Sequence, residues 1–325
     1  MTHSTSRPRA DRPTSGALLV QRGRLFSAMA VGALVFWYFG WRVARPVDPE
    51  GAVSLLMLGT GQGVVCMAEL LALAVVVSGL AVAICGAGSA ERGPLAVAVG
   101  LAALAMHGGQ MDQLVQYRLT TTGPDAVITD PFPVWALVSE TWLWLALIGV
   151  GFVVGRWVEG WFNSARVERR KRDPAQDNDF RQGVGTVALA SLIAWLIVLS
   201  ATGSPELPTL KGQLFFALIT AFLVASLFAH WFFRVETRVW TLVAVALVAT
   251  LAYVYGQPDA ETIRAASRIG ARIPLSPVAR PLPIEFAALG SIGVLFEADI
   301  MALFCAILGL GPVERTPADD TSQSA

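Results

Sequence analysis

The sequence predicts an all-α fold: a polytopic transmembrane helical bundle of about eight spans, with one amphipathic interfacial helix in the last outer loop. Three observations carry that expectation. Of the 325 residues, 54% are hydrophobic and only 15% charged, with a mean hydropathy of +0.58. A soluble domain carries roughly 25% charged residues, so too little polar surface is present to face water on all sides. Next, apolar runs near the length needed to cross a bilayer recur along the whole chain. Finally, basic residues and tryptophans cluster where a bilayer would place them.

Residues 1–24, rich in Arg, Pro and Ser, read as a disordered cytoplasmic tail. The membrane domain is expected over 25–311, followed by a second disordered cytoplasmic tail, 312–325. The first run, 25–43, is longer than the apolar core of a secretion signal. It holds Phe36, Trp37, Tyr38 and Trp41, and no A-x-A pattern follows closely, so it reads as a retained span. The other runs are 62–86, 94–114, 134–155, 184–202, 212–233, 239–256 and 284–311. The third is the shortest in clean apolar length: residues 94–106 cover only about 20 Å of a roughly 30 Å core. It therefore has to continue through His107 and Gln110 or turn back as a re-entrant segment.

Charge asymmetry favours a full crossing. With eight spans, roughly 16 of the 24 Lys and Arg fall on one side. They include the block Arg166, Arg169, Arg170, Lys171 and Arg172 between spans four and five. A re-entrant third segment would put that block outside, against the positive-inside rule. The expected placement is a multi-pass protein of the cell membrane with both termini cytoplasmic. Trp37, Trp41, Trp135, Trp157, Trp161, Trp231 and Trp240 sit at span ends, as an interfacial aromatic belt does. The basic block is a topology anchor on anionic lipid.

Ionisable groups at membrane depth are costly and therefore become site candidates. Glu69, His107, Glu140 and Glu285 lie in the outer halves of four different spans. Gln62, Cys66 and Glu69 recur at i, i+4, i+7, one helical stripe. His107 and Gln110 are i, i+3 neighbours if one helix carries both. The functional reading is a polar vestibule, formed by Gln62, Glu69, His107, Gln110, Glu140 and Glu285, that binds a proton, a cation or a small solute. The alternative is that the same groups hydrogen-bond between helices and only hold the bundle together. Deeper in the last span, Glu297 continues a stripe with Gly290 and Gly293, a small-residue face suited to helix packing. Asp299 is about 200° away on the helical wheel, so it needs another partner or a break in the helix.

The outer loop 257–283 carries the amphipathic segment, 259–273. Ile263, Ala266, Ile269 and Ile273 form one face, while Arg264, Arg268 and Arg272 recur at i, i+4, i+8 on another. With Arg280, these arginines could grip an anion or a lipid headgroup at the interface, or simply face solvent.

No nucleic-acid partner is indicated by the balanced net charge, with 24 basic and 24 acidic residues. Cys66, Cys85 and Cys305 show no metal-binding spacing, and Cys66 and Cys85 lie about 28 Å apart along one helix, too far for a disulfide. No cofactor or metal is expected. His107 to Asp112 fits an H-x4-D pattern without the surrounding blocks that would give it meaning, and neither HExxH, GxSxG nor a Walker A loop occurs. Gly151 and Gly155 make a GxxxG, a weak sign of a homo- or hetero-oligomer. The leading expectation is a small-solute or ion carrier, in contact with the lipid bilayer and not an enzyme. The alternatives are a non-catalytic subunit of a membrane complex and a lipid-modifying enzyme acting within the membrane.

Overall fold

The computed structural model describes residues 15–46, 51–55, 62–86, 89–121, 132–162, 176–202, 210–233, 238–269 and 273–307. All regular structure among them is helical. Helix α1 (Ser15–Val35) runs through a π-helical turn (Phe36–Gly40) into α2 (Trp41–Ala44). Then follow α3 (Gln62–Cys85), α4 (Arg92–His107), α5 (Met111–Thr121), α6 (Val134–Phe162), α7 (Gln176–Ala201), α8 (Lys211–Phe233), α9 (Val239–Tyr255), α10 (Ala260–Ile269) and α11 (Pro283–Ile307).

Six of these helices are long and apolar enough to cross a membrane, and a seventh crossing is added if α4 and α5 form one broken span. Several such helices mark a multi-pass membrane protein. Helix α9, at 17 residues, is apolar but shorter. Helix α1 begins well before the apolar run at Leu25, so residues 15–24, expected in a disordered tail, are helical. Ala17, Leu18, Leu19 and Val20 are favourable or tolerated helix residues and extend the segment toward the N-terminus.

Contacts divide the chain into two compact units, Met1–Gly109 with Ala146–Lys171, and Gln110–Leu145 with Arg172–Ala325. In the first unit α1 packs on α3 and α4, and α3 packs on α4. The end of α6 joins them: the Ser78 hydroxyl donates to the Gly151 carbonyl at 2.9 Å. A Cβ on Gly151 would stand 2.8 Å from the Pro94 Cα, and one on Gly155 would meet the Ala90 carbonyl. The GxxxG is thus used inside the unit, where absent side chains let two backbones approach, and is not left over for a partner.

In the second unit α8 packs on α7 and α11, and α9 packs on α7 and α11. The stripe expected on the last span is used here. Gly290 lies against Val245 and Phe222, and Gly293 against the backbone of Ile219 and Leu223. Helix α11 continues without a break past Glu297 and Asp299 to Ile307, so Asp299 is accommodated without interrupting the span.

The third apolar segment does break. Helix α4 ends at His107, Gly108 takes an extended conformation, and the Gly109 N–H donates to the Gly51 carbonyl at 2.9 Å. Gln110 then opens α5, its N–H donating to the side-chain oxygen of Gln113 at 2.8 Å while its carbonyl accepts from the Gln113 and Leu114 N–H groups. The Gln113 side chain thus reaches back to satisfy a free N–H at the start of α5, the half of a capping box contributed by the third residue. His107 and Gln110 therefore are not i, i+3 neighbours on one helix, because two glycines favour leaving the helix and a new cap begins directly after them.

Candidate functional site

A buried polar cluster in the second unit gathers four helix ends. Helix α11 starts with Pro283, whose fixed φ and missing N–H suit the first helical position. The Leu282 N–H before it donates to Glu285 Oε2 at 2.8 Å, and the Leu282 carbonyl accepts the Phe286 N–H at 3.0 Å. Glu285 thus sits two residues into the helix, where a carboxylate caps the free N–H and meets the positive end of the helix dipole. Its other oxygen, Oε1, lies 3.6 Å from the Nζ of Lys211, the first residue of α8. At that distance the contact is an ion pair without a hydrogen bond. Among the described residues Glu285 Oε1 accepts no hydrogen bond, although Glu285 is only 1% exposed.

Helix α6 brings Glu140, which is 2% exposed and accepts the Trp144 Nε1–H at 3.0 Å one turn later. Thr141 beside it returns its hydroxyl to the Leu137 carbonyl at 3.0 Å. Tyr253, near the end of α9, is fully buried between the rings of Phe132 and Phe286, both met edge-on. Its hydroxyl donates to the Pro281 carbonyl at 2.9 Å and lies within electrostatic reach of Glu140 and Glu285, with Thr141 as a further polar partner. Two acidic groups, one phenol, one threonine hydroxyl and one half-buried ammonium therefore share one end of this unit. Such a set can hold a small polar molecule or ion through opposite charges and directed donors, since all three charged groups are tied to rigid helix positions.

At the other end of the α8–α11 pair, Glu297 Oε2 accepts the Ser226 hydroxyl at 2.7 Å and lies 2.5 Å from His230 Nδ1. Serine, histidine and glutamate are together, but all three converge on a single imidazole nitrogen and a single carboxylate oxygen. A nucleophilic relay needs the serine on one ring nitrogen and the acid on the other, so this arrangement binds helices or protons and does not activate Ser226.

Of the expected vestibule, Glu140 and Glu285 are brought together in the second unit. Gln110 is also in that unit, spent as the cap of α5. In the first unit the His107 ring lies against two tryptophans, tilted to Trp37 at a centroid distance of 3.5 Å and stacked on Trp41 at 4.8 Å. The π turn, bonded from the Trp41 N–H to the Phe36 carbonyl, holds Trp37 and ends just before Trp41. Gln62 and Glu69 are exposed, while Cys66 between them is buried, so the stripe read from sequence does not face one interior. The physical reason is that α3 turns Cys66, Leu70, Ala74 and Val77 toward α1 and α4, and Glu69 lies off that face.

Helix α10 realises part of the amphipathic segment: Ala266 and Ile273 are buried, and Ile263 is half-buried. Arg272 lies outside the described residues, as do the side chains of Arg264 and Arg268. Arg280 is half-buried beside the 3-10 turn Pro277–Ala279. Asp299 is half-buried on α11.

Lys211, Tyr253, Trp144, Ser226 and His230 were not among the sequence candidates. Lys211 looks like a boundary residue because the apolar run begins at Gly212, and Tyr253 looks like one more interfacial aromatic. No protein-family model, curated protein or solved structure matches the chain.

Proposed function

We propose that the chain is a small-solute or ion carrier with eight spans and both termini cytoplasmic, whose binding site is the cluster Glu140, Lys211, Tyr253 and Glu285. The observation that carries this reading is the buried Glu285 Oε1, left 3.6 Å from Lys211 Nζ with no hydrogen bond among the described residues. Buried polar atoms are nearly always hydrogen-bonded in a resting structure. A buried acceptor set slightly too far from the neighbouring ammonium can take a hydrogen bond from a molecule that enters beside it. Lys211, half-buried at the head of α8, is the member open to the surface. Eight spans follow if α4 with α5 forms one crossing and α9, about 26 Å long, forms another.

Purified protein in detergent, screened by thermal shift against small carboxylic acids, amino acids, polyamines and alkali cations, should be stabilised by one class. Lys211→Gln and Glu285→Gln should both abolish that shift. A second reading, a subunit whose polar cluster only locks helices, is favoured by the near-complete burial of Glu140, Tyr253 and Glu285. Under it no solute class stabilises the protein, and both substitutions lower its melting temperature.

A further inference from the structure

Helix α3 carries one acidic and no basic residue: Glu69 is flanked by residues 63–68 and 70–85 without Asp, Glu, Lys, Arg or His. Its side chain is exposed, and so are its helical neighbours Val65, Ala68, Ala72, Val76 and Leu80. These positions recur every three or four residues and form one stripe. Gly79, at the same edge, has nothing within 4 Å of where a Cβ would stand. Elsewhere in the candidate spans Glu140, Glu285 and Glu297 are buried, and Asp299 on α11 is half-buried. Glu69 alone among these carboxyls points out of an apolar surface.

A bilayer offers such a group no hydrogen bond, so a carboxyl left facing lipid at this depth is costly. We propose that the Glu69 stripe of α3 is a self-association surface, occupied by the same stripe of a second copy of this chain. The argument for a second copy is complementarity. Two copies inserted in the same direction, related by a two-fold axis along the membrane normal, bring identical residues together at identical depth. A carboxyl group can be its own partner in that geometry, since a protonated carboxyl donates its O–H to an oxygen of its twin. Ala68, Ala72 and Gly79 keep the stripe low, so two backbones can approach closely enough for short side chains to meet. The opposite face of α3, with Cys66, Leu70, Ala74 and Val77, is already used against α1 and α4 and cannot serve.

The test uses the full chain in its native membrane with Cys66, Cys85 and Cys305 replaced. Single cysteines are placed at Val65, Ala72 or Val76 on the stripe, and at Val64 or Leu71 off it, all five being exposed. Oxidation should give disulfide-linked dimers from the first three positions and about tenfold less from the last two. Glu69→Leu, which suits lipid, should weaken dimerisation by about tenfold, and Glu69→Gln, which still donates and accepts, should retain it. Equal or absent dimer at all five positions would overturn the proposal and leave the stripe to lipid. Cross-linking at the stripe to a different protein, or within the same chain, would overturn it in favour of another occupant.

Discussion

Tyr253 shows how a single side chain can order several others. Its ring fills the space between Phe132 and Phe286, and its hydroxyl donates to the Pro281 carbonyl just ahead of α11. Tyr253→Phe keeps the packing and removes the donor, leaving a buried carbonyl with one bond fewer. Such losses cost about 1–3 kcal/mol, and titration with a denaturing detergent should show a loss of that size. The neighbouring Glu285 has two duties, capping α11 through Oε2 and facing Lys211 through Oε1. Glu285→Gln should keep most of the cap and lose the ion pair, whereas Glu285→Ala should lose both. The difference in melting temperature between those two variants then isolates the cap. Sequence alone flagged Glu285 as a carboxyl at depth but could not reveal the second duty, because Lys211 is 74 positions away in the chain and becomes a neighbour only when α8 and α11 pack.

Among the elements, α8 and α11 depend most on the absence of side chains. A Cβ on Gly293 would stand 2.5 Å from the Ile219 carbonyl oxygen and 2.8 Å from the Leu223 nitrogen. Both are backbone atoms of α8, and helix backbones yield only by moving apart. Gly293→Ala should therefore destabilise the second unit by about 1–3 kcal/mol and loosen the Ser226–His230–Glu297 contact. A rise in hydrogen exchange along 219–230 would report it, and unchanged exchange would contradict the close packing. Helix α10 depends instead on its cap: Asp259 accepts the Thr262 N–H at 2.6 Å, and bonding to Thr262 holds its carboxyl below the usual range. With the folded-state pKa below the unfolded one, the cap is fully effective above the ordinary Asp value and is lost as pH falls through the lowered one. Amide protection over 260–265 should thus be constant from neutral pH down to about 4 and fall in stronger acid, and Asp259→Ala should show the low-pH behaviour at every pH. The periodicity of Ile263 and Ala266 announced this helix in the sequence. The break between α4 and α5 was less legible, since Gly108–Gly109 is compatible with either a bent span or two segments until the bond from Gly109 to Gly51 is seen.

For the whole molecule, the positive-inside argument gives a direct expectation. On a cysteine-free background in intact cells, a membrane-impermeant thiol reagent should label a cysteine placed at Thr121 and spare one at Ala175. The reverse pattern would put the basic block 166–172 outside and remove the eight-span arrangement. Composition, hydropathy runs and basic clusters determined by themselves that the chain is helical, apolar and built to cross a membrane several times. Those properties are sums over many residues, and lipid, acting as a solvent, selects on the sum. The partners of each polar side chain were decided only by tertiary structure. A carboxyl on an apolar helix reads the same in sequence whether it turns inward, as Glu140 and Glu297 do, or outward, as Glu69 does. Its direction is fixed by which helix face is buried, and on α3 that face was set by packing against α1 and α4 rather than by the position of the charge.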